Sequence, residues 1–161
     1  MSVDVRVDTL IHQPRTVVAE FMFDPRNDAA WTTGVIECRP RTAGPLRKGS
    51  RVERRATFLG RAFCYEYEVV SRDEDRSVDI RVEKPFPMQI RYELAYAQAG
   101  TRVSIQASGD PGTFFRLAGP LLGGMVKRQI GRDLEAMKTL LEGRAVRPLI
   151  PWPSTSHRFP G

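Results

Sequence analysis

Apolar and polar residues alternate from the start of the chain. Val3, Val5, Val7 and Ile11 interleave with Asp4, Arg6 and Asp8. Period two with one apolar face predicts a half-buried strand. The pattern changes after His12-Gln13-Pro14, where Val17, Val18, Phe21 and Met22 recur at helical spacing. Pro14 suits the entry to a helix, because the first N–H groups there have no partner to lose. Asp24-Pro25 ends the helix, since the residue before a proline avoids the helical region. Residues 25–33 predict a second short helix or a tight loop ending near Trp31.

Alternation returns after Gly34 and persists through six runs: VIECRPR, RVERRATFL, RAFCYEYEVV, SVDIRVEK, MQIRYELAYA and TRVSIQASG. Short connections rich in Gly, Pro and charged residues separate them, which predicts an antiparallel meander. The first strand brings the total to seven. Phe63, Tyr65, Tyr67 and Val69 share one face; so do Val78, Ile80 and Val82; so do Met88, Ile90, Tyr92, Leu94 and Tyr96; so do Val103, Ile105 and Ala107. Glu66, Glu68, Asp79, Arg81, Glu83, Gln89, Arg91, Glu93, Arg102, Ser104 and Gln106 fall on the other face. One face of the sheet is therefore covered and the other wet.

Residues 110–143 hold the longest helical pattern. Asp110-Pro111-Gly112-Thr113 supplies turn and cap chemistry, and Pro120 is expected to break or kink the segment near Leu117. Beyond it Leu122, Val126, Ile130, Leu134, Met137 and Leu141 form an apolar stripe, ending at Gly143. Asp133 falls close to the stripe in angle and Gln129 lies on its margin. The last stretch, residues 144–161, has four prolines and no period. It reads as a disordered tail or a strap laid over a single domain spanning residues 1–143.

Composition removes several function classes. No apolar run approaches the ~18 residues of a spanning helix, and the start lacks a secretory h-region. The expected location is the cytoplasm. Cys38 and Cys64 have no metal-ligand spacing and read as small buried thiols, and His12 and His157 are the only histidines. No metal or cofactor is expected. Of the charged residues, 25 are Lys or Arg and 19 Asp or Glu, a net charge of +6. Most bases lie opposite acids on the wet face; Arg39, Arg41, Arg47, Lys48 and Arg51 form the one dense cluster.

The element order resembles the α+β helix-grip fold, also called START-like or Bet v 1-like: a seven-stranded antiparallel sheet wrapped around a long C-terminal helix, with two short helices after the first strand. Ile11-His12-Gln13-Pro14-Arg15-Thr16-Val17, Asp24-Pro25 with Trp31, and Gly44-Pro45-Leu46 with Lys48-Gly49-Ser50-Arg51 resemble the polyketide cyclase/dehydrase and lipid-transport branch. So do Gly119-Pro120-Leu121-Leu122 and the run from Asp133 to Glu142. The resemblance covers residues 3–143 and implies a cavity between the concave sheet face and the long helix.

A curved sheet gripping one helix leaves apolar volume, and such sites combine apolar walls with a few polar groups. Phe58, Phe63, Tyr65, Tyr67, Tyr92 and Tyr96 lie on the covered face, with Met88, Met125 and Met137 as adaptable walls. Trp31 and Gln129 complete the expected lining. Arg54 shares parity with Val52, Ala56 and Phe58, so it should point inward. A buried arginine needs a counter-charge, and Asp133 is the expected partner. His12 reads either as a general base or as a surface histidine at a strand end.

Three functions follow as expectations. The first is binding of a small hydrophobic molecule, a lipid or polyketide-like aromatic, in the cavity. The second is aromatase/cyclase or dehydrase chemistry there, with Arg54 stabilising an enolate and a tyrosine or Asp133 moving the proton. The third is surface binding of anionic lipid or nucleic acid through the 39–51 cluster, disfavoured by interleaved acids. No nucleic-acid partner and no stable membrane insertion are expected; a homodimer is compatible with the fold.

Overall fold

The structure, a computed structural model, describes residues 2–115 and 120–143. Strand β1 (Val3–Ile11) leads to helix α1 (Arg15–Met22), a 3-10 turn over Pro25–Asn27, and helix α2 (Asp28–Trp31). Six strands follow: β2 (Val35–Pro40), β3 (Arg51–Phe58), β4 (Arg61–Asp73), β5 (Ser77–Val82), β6 (Met88–Ala97) and β7 (Gly100–Gly109). Helix α3 spans Pro120–Glu142. The architecture is the helix-grip fold that the resemblance implies, and the meander that the alternation predicts: one antiparallel seven-stranded sheet ordered β1-β7-β6-β5-β4-β3-β2.

Two details shape the sheet. The β3–β4 hairpin turns on Leu59 and Gly60, both at positive φ (52° and 76°), as a two-residue turn matched to strand twist requires. Register breaks between Val35 and Glu37 in β2 and between Val69 and Ser71 in β4. Bulges of this kind bend a strand and increase its twist, curving the sheet toward the helix.

The core lies between the concave face and the helices. Ile11, Val18, Met22, Trp31, Val52, Tyr67, Val69, Val78, Val103, Leu134 and Met137 are at most 1% exposed. Helix α3 packs on β1 and α2, and α1 lies over β6 and β7. Gly100, in the β6–β7 turn, meets β1 so closely that a Cβ there would lie 2.2 Å from the Ile11 carbonyl oxygen.

Helix α3 is described from Pro120; the expected break near Leu117 and the 144–161 tail lie outside the described residues. One local expectation changes. Cys64 is exposed, because it sits in β4 between the inward-facing Phe63 and Tyr65; Cys38 is half-buried, and both thiols are free. His12 is a surface residue with Nδ1 3.1 Å from the Ala99 carbonyl oxygen.

Candidate functional site

A cavity of about 200 Å³ lies between the concave face and α3. Strand register builds its walls in rows. On β6 and β7, Tyr92 pairs with Ile105, Ile90 with Ala107 and Met88 with Gly109, all facing the cavity. On β3 and β4, Arg54 pairs with Tyr65, Ala56 with Phe63 and Phe58 with Arg61. From Arg54 to Phe58 the lining passes from polar to aromatic. Phe63, Phe86 and Phe115 meet edge to face, with Phe63–Phe115 and Phe86–Phe115 centroids 5.9 and 5.7 Å apart, and Phe58–Phe115 5.1 Å apart. Leu122, Val126 and Ile130 close the space from α3.

The polar end is organised by Asp28, at the start of α2. Arg54 is 3% exposed, and its Nε and Nη2 donate to Asp28 Oδ2 at 3.0 and 2.7 Å. Tyr67 donates its hydroxyl to the same oxygen at 2.9 Å. The Cys38 thiol lies 3.2 Å from the Pro25 carbonyl oxygen and 3.6 Å from Asp28 Oδ2. Arg54 also stacks over the Tyr67 ring, 4.6 Å from its centroid. Its remaining arm, Nη1, donates to the Tyr65 hydroxyl oxygen at 3.1 Å.

These contacts set the protonation states. Burial opposes the charge of Arg54, but Asp28 and then the surrounding tyrosines hold its pKa well above the usual value, so it stays cationic. Burial, reinforced by Asp28, pushes the Tyr67 hydroxyl well up. Burial likewise takes Tyr92 to about 12 against the pull of Arg54, and the Cys38 thiol to about 12 with help from Asp28. At neutral pH the site therefore holds Arg54 as a cation, with Tyr67, Tyr92 and Cys38 as neutral groups.

Asp133 occupies a different corner. Its Oδ1 accepts the Thr33 backbone N–H at 2.8 Å, the Thr33 hydroxyl at 2.7 Å and Gln129 Nε2 at 3.2 Å. Burial raises its pKa above the ordinary 3.8, against the stabilising donors of Thr33 and Gln129. The expected Arg54–Asp133 ion pair is thus replaced by Arg54–Asp28. Helical phase put Asp133 on the right stripe, but the cation is taken by an acid in a four-residue helix whose phase the sequence did not display. Asp28 was the missed residue. Its signal was a lone acid three positions before Trp31, in a segment read as helix or loop.

Of the expected lining, Trp31, Arg54, Phe58, Phe63, Tyr65, Tyr92, Gln129 and Asp133 face the cavity. Four do not. Tyr67 is sealed beneath it by Asp28, and Met137 is fully buried in the core. Tyr96 is 83% exposed near the end of the β6–β7 hairpin: parity chooses a face but does not guarantee a layer over it. Met125 is 39% exposed and borders a separate surface groove with Leu59 and Arg128. Phe86 lies outside the strand patterns and Phe115 ahead of Pro120, before the apolar stripe of the 110–143 segment; both go unassigned in the sequence, and they supply much of the aromatic wall.

Among the described residues, no group of three or more His, Cys, Asp or Glu could hold a metal ion, and no helix is long and apolar enough to cross a membrane. In the basic cluster, Arg39 meets Glu37 at 2.7 Å, Arg41 meets Glu53 at 2.5 Å and Arg51 meets Glu68 at 3.8 Å.

Comparison with known proteins agrees with this architecture. The family model described as polyketide cyclase/dehydrase and lipid transport matches residues 2–142. No curated protein matches the chain. Among solved structures, a START superfamily protein from Mycobacterium smegmatis superposes with a TM-score of 0.71 at 11% identity, over 88% of this chain and 97% of that one. The major latex-like protein 151 of Panax ginseng gives 0.69 at 13% identity, over 87% and 97%. Protein MLL2253 of Mesorhizobium loti gives 0.67 at 15% identity, over 89% and 99%. At these identities the likeness establishes the fold.

Proposed function

The chain belongs to the polyketide cyclase/dehydrase and lipid transport family, and from that premise we propose that its cavity binds a compact, largely apolar molecule of one or two rings. Family and fold together suggest a domain for hydrophobic ligands. The observation that carries the finer reading is the lining: aliphatic rows and a phenylalanine cluster around about 200 Å³, with polar side chains at Arg54 and Tyr65 in one corner and Asp133 in another. That volume lies below the ~300–1,000 Å³ of ordinary ligand sites, which favours a small ring system over a multi-ring polyketide or a full-length lipid.

Calorimetric titration with indane, a bicyclic hydrocarbon, tests this. The expected result is saturable binding with a negative heat-capacity change. It should be lost in Ala56→Leu, which fills the cavity from β3. Absent binding to the wild-type chain, or equal binding in a folded Ala56→Leu variant, contradicts the reading.

A second reading has its own observation. Asp133 faces the cavity with a raised pKa and, among the described residues, accepts its hydrogen bonds from Thr33 and Gln129, while Arg54 stands as a fixed positive charge. That arrangement suits proton removal from a carbon beside a carbonyl, with the positive end stabilising the enolate. Deuterium exchange at C2 of 1-indanone in D₂O measures it. Catalysed exchange that disappears in Asp133→Asn supports the reading; exchange at the buffer rate removes it.

A further inference from the structure

The hydrogen-bond directions at the polar end have a consequence for what the cavity selects. Arginine has five N–H donors and no acceptor. Because Arg54 Nη1 donates to the Tyr65 oxygen, the Tyr65 proton cannot return to Arg54 and must point elsewhere. Tyr67, also on β4, spends its proton on Asp28 Oδ2. Among the described residues no acceptor takes the Tyr65 proton, and Tyr65 lines the cavity. A second donor stands nearby without a partner: Trp31 is 1% exposed, lines the same cavity, and its Nε1–H has no acceptor among the described residues. Trp31 meets Tyr92 edge to face at 5.8 Å, and Tyr92 adjoins Arg54. Donors therefore dominate this end of the cavity. The lining carboxylate, Asp133, already accepts from Thr33 and Gln129 through Oδ1.

We infer that the Tyr65 hydroxyl, held as an obligate donor by the Asp28–Arg54 pair, is the group that fixes an acceptor oxygen of the ligand. The inference rests on the cavity-binding reading and adds a chemical class: a compact ring bearing a carbonyl or phenolate oxygen, preferred over a hydrocarbon of the same shape. Tyr65 contacts the ligand; Asp28 and Arg54 position and polarise it. A group hydrogen-bonded to a cation is a stronger donor than a free hydroxyl, since such bonds polarise one another. A half-buried donor without a protein acceptor gains a hydrogen bond from an acceptor-bearing ligand and none from a hydrocarbon.

The test uses 1-indanone and indane, which differ by one carbonyl. Calorimetry on the full chain should give 1-indanone at least tenfold tighter binding than indane. Tyr65→Phe should cut 1-indanone affinity about tenfold and leave indane affinity unchanged, collapsing the ratio. Tyr96→Phe, which loses the hydroxyl of a side chain 83% exposed near the hairpin end and away from the cavity, should keep the ratio. The carbonyl stretch of bound 1-indanone should fall to lower wavenumber in the wild type and recover in Tyr65→Phe; the wild-type shift and affinity ratio remain available even where a variant fails to fold. Equal affinities for the two probes with indane bound, or a ratio that survives Tyr65→Phe, overturns the inference and leaves cavity binding intact. Failure of both probes to bind removes the two together.

Discussion

Asp28 and Asp133 are both less than one-tenth exposed, at 1% and 8%, yet they solve the problem of a buried carboxylate in opposite ways. Asp28 is met by a cation, and Arg54, Tyr67 and Cys38 converge on one of its oxygens. Among the described residues Asp133 accepts its hydrogen bonds from neutral donors, of Thr33 and Gln129. The first arrangement locks charge in place; the second leaves a carboxyl whose ionisation burial resists. The difference shows what each region is suited to. A compensated pair makes a fixed electrostatic scaffold, and an acid held by neutral donors, with Arg54 acting on it without a direct contact, remains a group able to exchange a proton.

Breaking the scaffold should produce the largest effect. Asp28→Ala leaves Arg54 charged and unpaired inside the protein, a loss on the order of 3–5 kcal/mol measured by urea denaturation. Replacing both partners, Asp28→Leu with Arg54→Met, should be far less damaging than the single change, because no lone charge remains. A double variant as unstable as Asp28→Ala would show that the pair matters for shape rather than charge.

Removing one arm of the scaffold is the next largest step. Tyr67→Phe deletes a buried hydrogen bond to the Asp28 carboxylate, for which about 1.5–3 kcal/mol is expected, readable as a lower melting temperature. No change would mean that the Tyr67 hydroxyl is dispensable to the Asp28 site.

The Asp133 corner should show itself through pH rather than through a large constant loss. Its folded pKa is raised, so the folded state favours the protonated carboxyl. The penalty from ionisation is absent below the unfolded value near 3.8 and grows as pH rises through the folded pKa, then levels off. Relative to Asp133→Asn, the wild type should therefore lose stability across that window, as seen in denaturation midpoints taken at several pH values. A difference independent of pH would contradict the assignment.

The smallest effect belongs to the wet face. Arg41 reaches Glu53 and Glu66, but its side chain is 58% exposed. Exposed pairs contribute about 0–1 kcal/mol, so Arg41→Ala should barely move a melting curve. A loss comparable to Tyr67→Phe would mean that surface and interior pairs contribute alike.

The fold was largely legible because alternation is a local signal with a global consequence. A period of two in seven runs, followed by one helical stripe, leaves few arrangements other than a meander gripping a helix. Parity also sent Arg54 inward, Phe63 and Tyr92 with it. Parity did not reveal depth: Tyr96 keeps the parity of Tyr92 and Leu94 but lies exposed near the hairpin end, and Tyr67 keeps that of Tyr65 but is sealed under Asp28. Pairing was the least legible. Arg54 lies 26 positions from Asp28, and nothing in a four-residue helix marks which side its first residue faces. Phe86 escaped because an aromatic in a loop carries no face to read, and Phe115 because it falls ahead of Pro120, before the apolar stripe that gives the 110–143 segment a face.

The central claim is that the space between sheet and helix accepts a compact apolar molecule. Two-dimensional amide NMR during titration with indane addresses it most directly. The account predicts saturable shifts concentrated at lining positions such as Gly34, Ala56, Ile90, Ala107 and Ile130, with wet-face residues such as Glu66 and Arg81 unmoved. Shifts confined to the surface, or none up to the solubility limit of indane, would contradict it.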